Sequence, residues 1–272
     1  MEAYPPPIEG LRQCGDARKK GPAQGYVKAF GLDAGHIPDL IRLAVEWAEP
    51  SLDDEPEIWA PLHAWRAIGE LGAVEAIEPL LGILNQLDTN NDDWYLEEIP
   101  DVMAAIGPPA IAALSDFLVE RGNLDYPRIC AADALQRIGN LHPDYRDACV
   151  ASLTSQLKLP GRNEGSLNGF LVSFLLSLDA VESESVIEYA YAHHLVDEFI
   201  CGDWPTVRAQ LHGESPPSSP RSRSVSREVF GHTPFSQLQG IQDYRAEARS
   251  RRAKEKRKRR RKAKGRQRAR KG

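Results

Sequence analysis

The feature that most narrows the fold is a helical junction that recurs along the chain. Three apolar stretches end in similar runs: Ala67-Ile68-Gly69, Ala105-Ile106-Gly107 and Arg137-Ile138-Gly139. Leu62, Trp65 and Ile68 lead into the first, and Ile99, Val102, Met103 and Ile106 into the second. Ala131, Ala134, Leu135 and Ile138 lead into the third. Steps of three and four put each set on one helix face. A second apolar helix follows each junction: Val74, Ile77, Leu80, Leu81 and Leu84; then Ile111, Leu114, Phe117 and Leu118; then Ala148, Val150, Leu153 and Leu157. Glycine suits the left-handed residue that closes a helix, so all three glycines are expected as caps. Pro108 and Pro109 fit the first turn of the helix after Gly107.

The junctions lie 38 and 32 residues apart, the period of a stacked helical hairpin. A fourth unit places Asp179 near the glycine position, after Phe170, Phe174 and Leu178 and before Val186, Ile187 and Ala190. Upstream, Ile37, Leu40, Ile41, Ala44 and Trp47 form a further helix. No alternating β-branched run competes. The expected fold is all-α: a solenoid of about five hairpins over residues 1–211.

Charge divides the chain. The net of −5 combines a body and a tail of opposite sign. Residues 245–272 hold 17 Lys/Arg against 2 Asp/Glu, which leaves 17 against 37 in residues 1–244. Between them, residues 212–244 are expected to be a flexible linker with a weak docking segment, rich in Pro and Ser at its start. Self-repulsion should keep the basic tail disordered alone. Arg251, Arg252, Lys256, Arg257, Lys258, Arg259, Arg260, Arg261 and Lys262 are the candidate nucleic-acid contacts. No aromatic residue follows Tyr244. The tail should therefore follow RNA, ribosome or DNA phosphates with steep salt dependence and little base preference.

Cys14, Cys130, Cys149 and Cys201 have no CxxC spacing, and reduced thiols in a cytoplasmic protein are expected. The N-terminal MEAYPPPIEG lacks a signal-peptide layout, and the longest apolar run, Gly169–Leu178, is half a membrane span. No phosphate loop, dinucleotide fingerprint or Ser-His-Asp set is visible, so no cofactor is expected. Asn90–Tyr95 with Glu97 and Glu98 is acidic but lacks an EF-hand ladder. His193/Asp197 and His194/Glu198 stand four apart, as two ligands on a helix would, and ion pairs are the plainer reading. Arg128, Arg137 and Arg146 are candidates for one ridge. Among the aromatics, Trp47 and Trp65 are assigned to the core. Trp59, Trp94, Tyr95 and Trp204, at loops or helix ends, are candidate protein contacts.

Ala67-Ile-Gly-Glu-Leu-Gly-Ala-Val-Glu-Ala-Ile-Glu-Pro-Leu-Leu81 resembles the short HEAT-like repeat of phycobilisome lyases. Through His36–Arg42, Trp59–Trp65, Ala76–Leu81, Leu167–Leu171 and Gly202–Trp204, residues 4–205 are similar to uncharacterised bacterial HEAT-repeat proteins. Some of those carry a C-terminal SEC-C zinc module; its CxC…CC cluster is absent here, so no zinc site is carried over. The resemblance implies the solenoid and brings no activity with it. A non-enzymatic scaffold or adaptor is the leading expectation, with an acidic repeat surface binding protein and the tail binding nucleic acid. A metal-dependent or lyase-like enzyme is the alternative. A third possibility has the tail shielding the acidic body.

Overall fold

Helix-forming segments alternate with turns along the body, and the computed structural model shows how they stack. It describes residues 4–17, 25–46, 56–90, 92–159, 161 and 163–215. The chain divides into two units, Met1–Val225 and Ser226–Gly272; the described residues belong to the first. Trp47, residues 216–244 of the expected linker with its docking segment, and the basic tail lie outside them.

Thirteen α-helices are found among the described residues, and no strand. They are α1 (Pro6–Arg12), α2 (Tyr26–Phe30), α3 (Ile37–Val45), α4 (Ala60–Leu71), α5 (Ile77–Asn90), α6 (Tyr95–Ile106) and α7 (Ile111–Val119). They continue with α8 (Asp125–Leu141), α9 (Arg146–Leu157), α10 (Gly165–Ser177), α11 (Glu184–Ala192), α12 (Glu198–Cys201) and α13 (Trp204–Leu211). Successive helices alternate between two packed layers, with close contact across them between α3 and α4, α7 and α8, and α8 and α9, and the short α12 and α13 come last. One layer runs α2, α4, α6, α8, α10, α12; the other runs α3, α5, α7, α9, α11, α13. This is the all-α solenoid the periodicity predicts.

The two layers have different sequences for a physical reason. First-layer helices are covered by neighbours on both sides and by the second layer behind, so they are apolar almost all round. In α8, Tyr126 through Leu135 are buried without a break, and in α10 so are Ser166 through Leu175. Trp65 of α4 is fully buried, and its indole N–H donates to the Ala44 carbonyl at 2.9 Å. Among the described residues, no single helix is long and apolar enough to cross a membrane. The one adjacent pair apolar enough together, Tyr95–Ile106 with Pro108–Val119, bends by 114° and forms the two limbs of a hairpin.

Hairpin geometry gives the stack two edges. At the turn edge, α2, α4, α6, α8 and α10 each pass to the next helix through a 3₁₀ turn: Ala34–His36, Val74–Ala76, Pro108–Ala110, Pro143–Tyr145 and Val181–Ser183; the last four are termed the first to fourth turns. At the loop edge, residues 92–94, 120–124, 158–159, 163–164 and 193–197 lie between one hairpin and the next. The glycines of the sequence junctions split between two jobs. Gly107 caps α6 with φ 84° and ψ −148°, and Gly72, not Gly69, is the left-handed cap of α4, with φ 62°. Gly69 and Gly139 lie inside helices, Gly69 packed on Val102 and Ala105 of α6. A Cβ on Gly139 would stand 2.8 Å from Leu178 Cδ2. Asp179 takes the left-handed turn of the fourth unit at φ 51°.

Candidate contact surfaces

Trp59 and Trp94 enter α4 and α6 from the loop edge. Trp59 ends the 3₁₀ turn Pro56–Trp59. Asp92 Oδ1 accepts a hydrogen bond from the Trp94 backbone N–H at 3.0 Å, a local turn that starts the helix. Because both occupy the same place in consecutive hairpins, stacking brings the rings together. Their centroids are 5.5 Å apart, edge to face, the arrangement that the ring quadrupoles favour. Both residues are half-buried.

Tyr95, expected beside them, is withdrawn from that surface. It is fully buried, and its hydroxyl donates to Asp88 Oδ1 at 3.2 Å. Successive helical residues point about 100° apart, so Trp94 and Tyr95 face different ways. Trp204 lies at the far end of the stack, half-buried, with its ring 5.8 Å from that of Tyr191. Of the four aromatic candidates, two come together.

A polar face across the first layer was not legible in the sequence. Arg66 Nε donates to Glu98 Oε2 at 2.9 Å, from α4 to α6. Arg66 also donates to the Ala17 carbonyl at 2.9 Å and to the Tyr26 hydroxyl at 3.3 Å. Tyr26 Oη lies 2.9 Å from His63 Nδ1, and His63 Nε2 lies 2.8 Å from the Gly15 carbonyl. A carbonyl only accepts, so Nε2 carries the proton and Nδ1 receives the Tyr26 O–H. Burial lowers the pKa of His63, holding it neutral. Further along, Arg137 of α8 pairs with Asp133 at 3.0 Å and with Asp101 of α6. Burial raises the pKa of Asp133. The only sequence trace of this ladder was the i,i+4 pair Asp133/Arg137; the other partners are brought together by stacking.

The three arginines considered for a ridge fall in three places. Arg128 is buried at the loop edge, where its Nε donates to the Leu118 carbonyl at 2.8 Å and its Nη2 to Asn163 Oδ1 at 3.1 Å. Arg137 belongs to the polar face and Arg146 to the turn edge. The proposed i,i+4 histidine pairs are also absent as helix-borne sets. The helix stops at Ala192, and His194 adopts φ 55°. Among the described residues, no group of three or more His, Cys, Asp and Glu is gathered as a metal site needs. The four cysteines are free. Burial pushes the Cys149 thiol up to about 11 and that of Cys201 to about 12, which suppresses the nucleophilic thiolate. The nine tail candidates between Arg251 and Lys262 lie outside the described residues.

The fold and these surfaces define a stacked helical-hairpin protein with an aromatic pair at one edge. Among curated proteins, the chain is similar to the phycocyanobilin lyase subunit alpha of Synechococcus elongatus, with 30% identity over 113 residues. The match covers 41% of this chain and 40% of that protein, so the chain spans less than half the length of the curated relative it matches. No family model matches the chain, and no solved structure matches it. The similarity agrees with the likeness of Ala67–Leu81 to phycobilisome-lyase repeats.

Proposed function

We propose that the body is a protein-binding scaffold and that the basic tail holds it to nucleic acid or the ribosome. The observation that carries the first half is the Trp59–Trp94 pair. Two indoles fixed against each other, half open to solvent, form a rigid aromatic anchor that loses little entropy on binding. Its test is affinity capture with the full chain against Trp59→Ala/Trp94→Ala, at low and high salt. Loss of specific proteins from the double variant supports the reading; an identical set of captured proteins sinks it. The tail half rests on the charge of residues 245–272. An RNA mobility shift should weaken strongly when they are deleted, and equal affinity without them refutes it.

A lyase-like role is the second reading, favoured by the lyase-subunit relative. A chain with that role binds a bilin. Titration of phycocyanobilin should then shift its visible absorption, and an unchanged spectrum at saturating protein counts against this role.

A further inference from the structure

The turns from α4, α8 and α10 run through 3₁₀ segments that leave large apolar side chains outside, in them or just before them. Val74 is 48% exposed, Leu141 64%, Tyr145 48% and Val181 43%. Pro109 and Pro143 are exposed between them. The turns are contiguous. His142 of the third stands 3.0 Å from the place of a Cβ on Gly107 of the second. Arg146 of the third donates to the Leu178 and Asp179 carbonyls of the fourth at 2.8 and 3.0 Å. Gly69, just before the first turn, packs on Val102 and Ala105, just before the second. The turns therefore form one line along an edge, with exposed apolar side chains at the first, third and fourth of them.

That line is bordered by carboxylates. Glu75, Asp144, Asp147 and Glu182 are exposed beside it. The nearby cation, Arg146, is already engaged by Asp147 and Glu182 at 2.9 and 2.8 Å. Among the described residues, Glu75 and Asp144 make no ion pair. An apolar line inside an acidic border suits a partner of the opposite charge pattern.

We infer that the turn edge docks a basic amphipathic helix of a protein partner, which rests on the reading of the body as protein-binding. Helices packed in a layer lie about 8–10 Å apart, and an α-helix advances about 10.5 Å in seven residues. A helix laid along the edge meets successive turns with apolar residues that repeat every heptad. Its Lys and Arg residues then face the carboxylates. The same carboxylates repel nucleic acid and anionic membranes, so the occupant is protein.

The test is fluorescence anisotropy with the full chain at about 0.15 M salt. The probe is a labelled peptide of about three heptads, with Leu at the first and fourth positions and Lys and Ala elsewhere. One control has Leu at every fifth position with Lys and Ala elsewhere, and another replaces Lys by Glu. The heptad Lys peptide should bind at least about tenfold tighter than either control. Leu141→Ser/Tyr145→Ser and, separately, Val74→Ser/Val181→Ser should each weaken it by about tenfold, with thermal melts confirming folded protein. Val119→Ser/Leu124→Ser, at the loop edge, should leave it unchanged. Equal binding of the five-residue control overturns the inference, as does full binding by both turn-edge variants. A dimer in sedimentation that disappears in Leu141→Ser/Tyr145→Ser assigns the edge to a second copy and also overturns it. Capture by Trp59→Ala/Trp94→Ala reads the other edge, so failure of one reading is separable from failure of the other.

Discussion

The turn edge and the loop edge are built from the same hairpins but solve their backbone problem differently. Every helix end leaves orphan N–H and C=O groups. At the turn edge these are met locally: Gly72 N–H bonds to the Gly69 carbonyl and Ala73 N–H to the Ile68 carbonyl, and a 3₁₀ turn starts the next helix. At the loop edge they are met by side chains, from the loop itself and from neighbouring helices. Asn123 Nδ2 donates to the Phe117 carbonyl, Arg128 to the Leu118 carbonyl, Asn163 to the Gln156 carbonyl and Asn168 to the Leu195 carbonyl. The Asn85 amide bonds both Asn123 and the Leu124 N–H. The turn edge closes mostly through its own backbone, with the Arg146 side chain reaching from the third turn to the Leu178 and Asp179 carbonyls of the fourth, and it leaves apolar side chains facing outward. The other uses side chains to staple neighbours together.

The largest effect should come from the backbone of the turn edge. Gly107 holds a conformation that L side chains rarely adopt, with His142 packed against it. Gly107→Ala should cost about 2–3 kcal/mol. Gly122, in a loop of the other edge, has no positive φ, and its nearest neighbour to an added Cβ is Glu120 Oε1 at 3.4 Å. Gly122→Ala should change stability by less than about 0.5 kcal/mol. Urea midpoints compare the two, and equal losses would break the contrast in backbone demand.

Side chains should show the reverse order. Arg128 is buried, and burial lowers its pKa. Arg128→Ala leaves the Leu118 carbonyl without its side-chain donor, removes one of the two donors to Asn163 Oδ1 and should cost about 2–3 kcal/mol. An unchanged midpoint would mean that the loop-edge staples contribute little.

How far these edges could be read from sequence follows from where their information lies. Helical hairpins and their period are written in spacings within about ten residues, so Leu62–Trp65–Ile68 and Ile99–Val102–Ile106 reveal them directly. The cap position is subtler. Gly69 and Gly72 are both near the end of α4, and only the backbone shows that Gly72 turns while Gly69 makes room for α6. Trp94 and Tyr95 are neighbours of similar chemistry, and helix phase alone separates surface from core. The staples join residues such as Asn85 with Asn123 or Arg128 with Asn163, and no local pattern encodes them. Apolar Val74, Leu141 and Val181 read as core by composition; the corner geometry of the turns leaves them outside.

One turn inside the loop edge, His63 supplies a smaller, pH-dependent effect. Its lowered pKa means the folded state resists protonation while the unfolded chain, at about 6.5, does not. The stability His63 contributes is therefore present above about pH 6.5 and is lost as pH falls below it. The loss at pH 5.5 should reach at most about 1.4 kcal/mol. Urea midpoints at pH 7.5 and 5.5 should converge partly in His63→Gln, which cannot take up the proton. An equal pH dependence in wild type and variant would remove His63 as the cause.

The smallest effect tests whether the turn edge depends on charge at all. Arg146 makes more bonds than Arg128, to two carbonyls and two carboxylates, yet it is partly exposed. Water competes for each of those bonds, and salt screens the ionic ones. Pairing with Glu182 raises the Arg146 pKa, but for so exposed a group that shift is worth little in stability. Arg146→Ala should cost under about 1 kcal/mol in low salt and less again at about 1 M salt. The Arg128→Ala loss should depend less on salt, because Arg128 is buried and its hydrogen bonds go to a neutral carbonyl and an amide, with the Asp125 carboxylate farther off at 3.8 Å. A salt-sensitive Arg128 and a salt-insensitive Arg146 would invert the comparison. The turn edge would then be the stapled one, and its carboxylates would be committed to the fold and not to a partner.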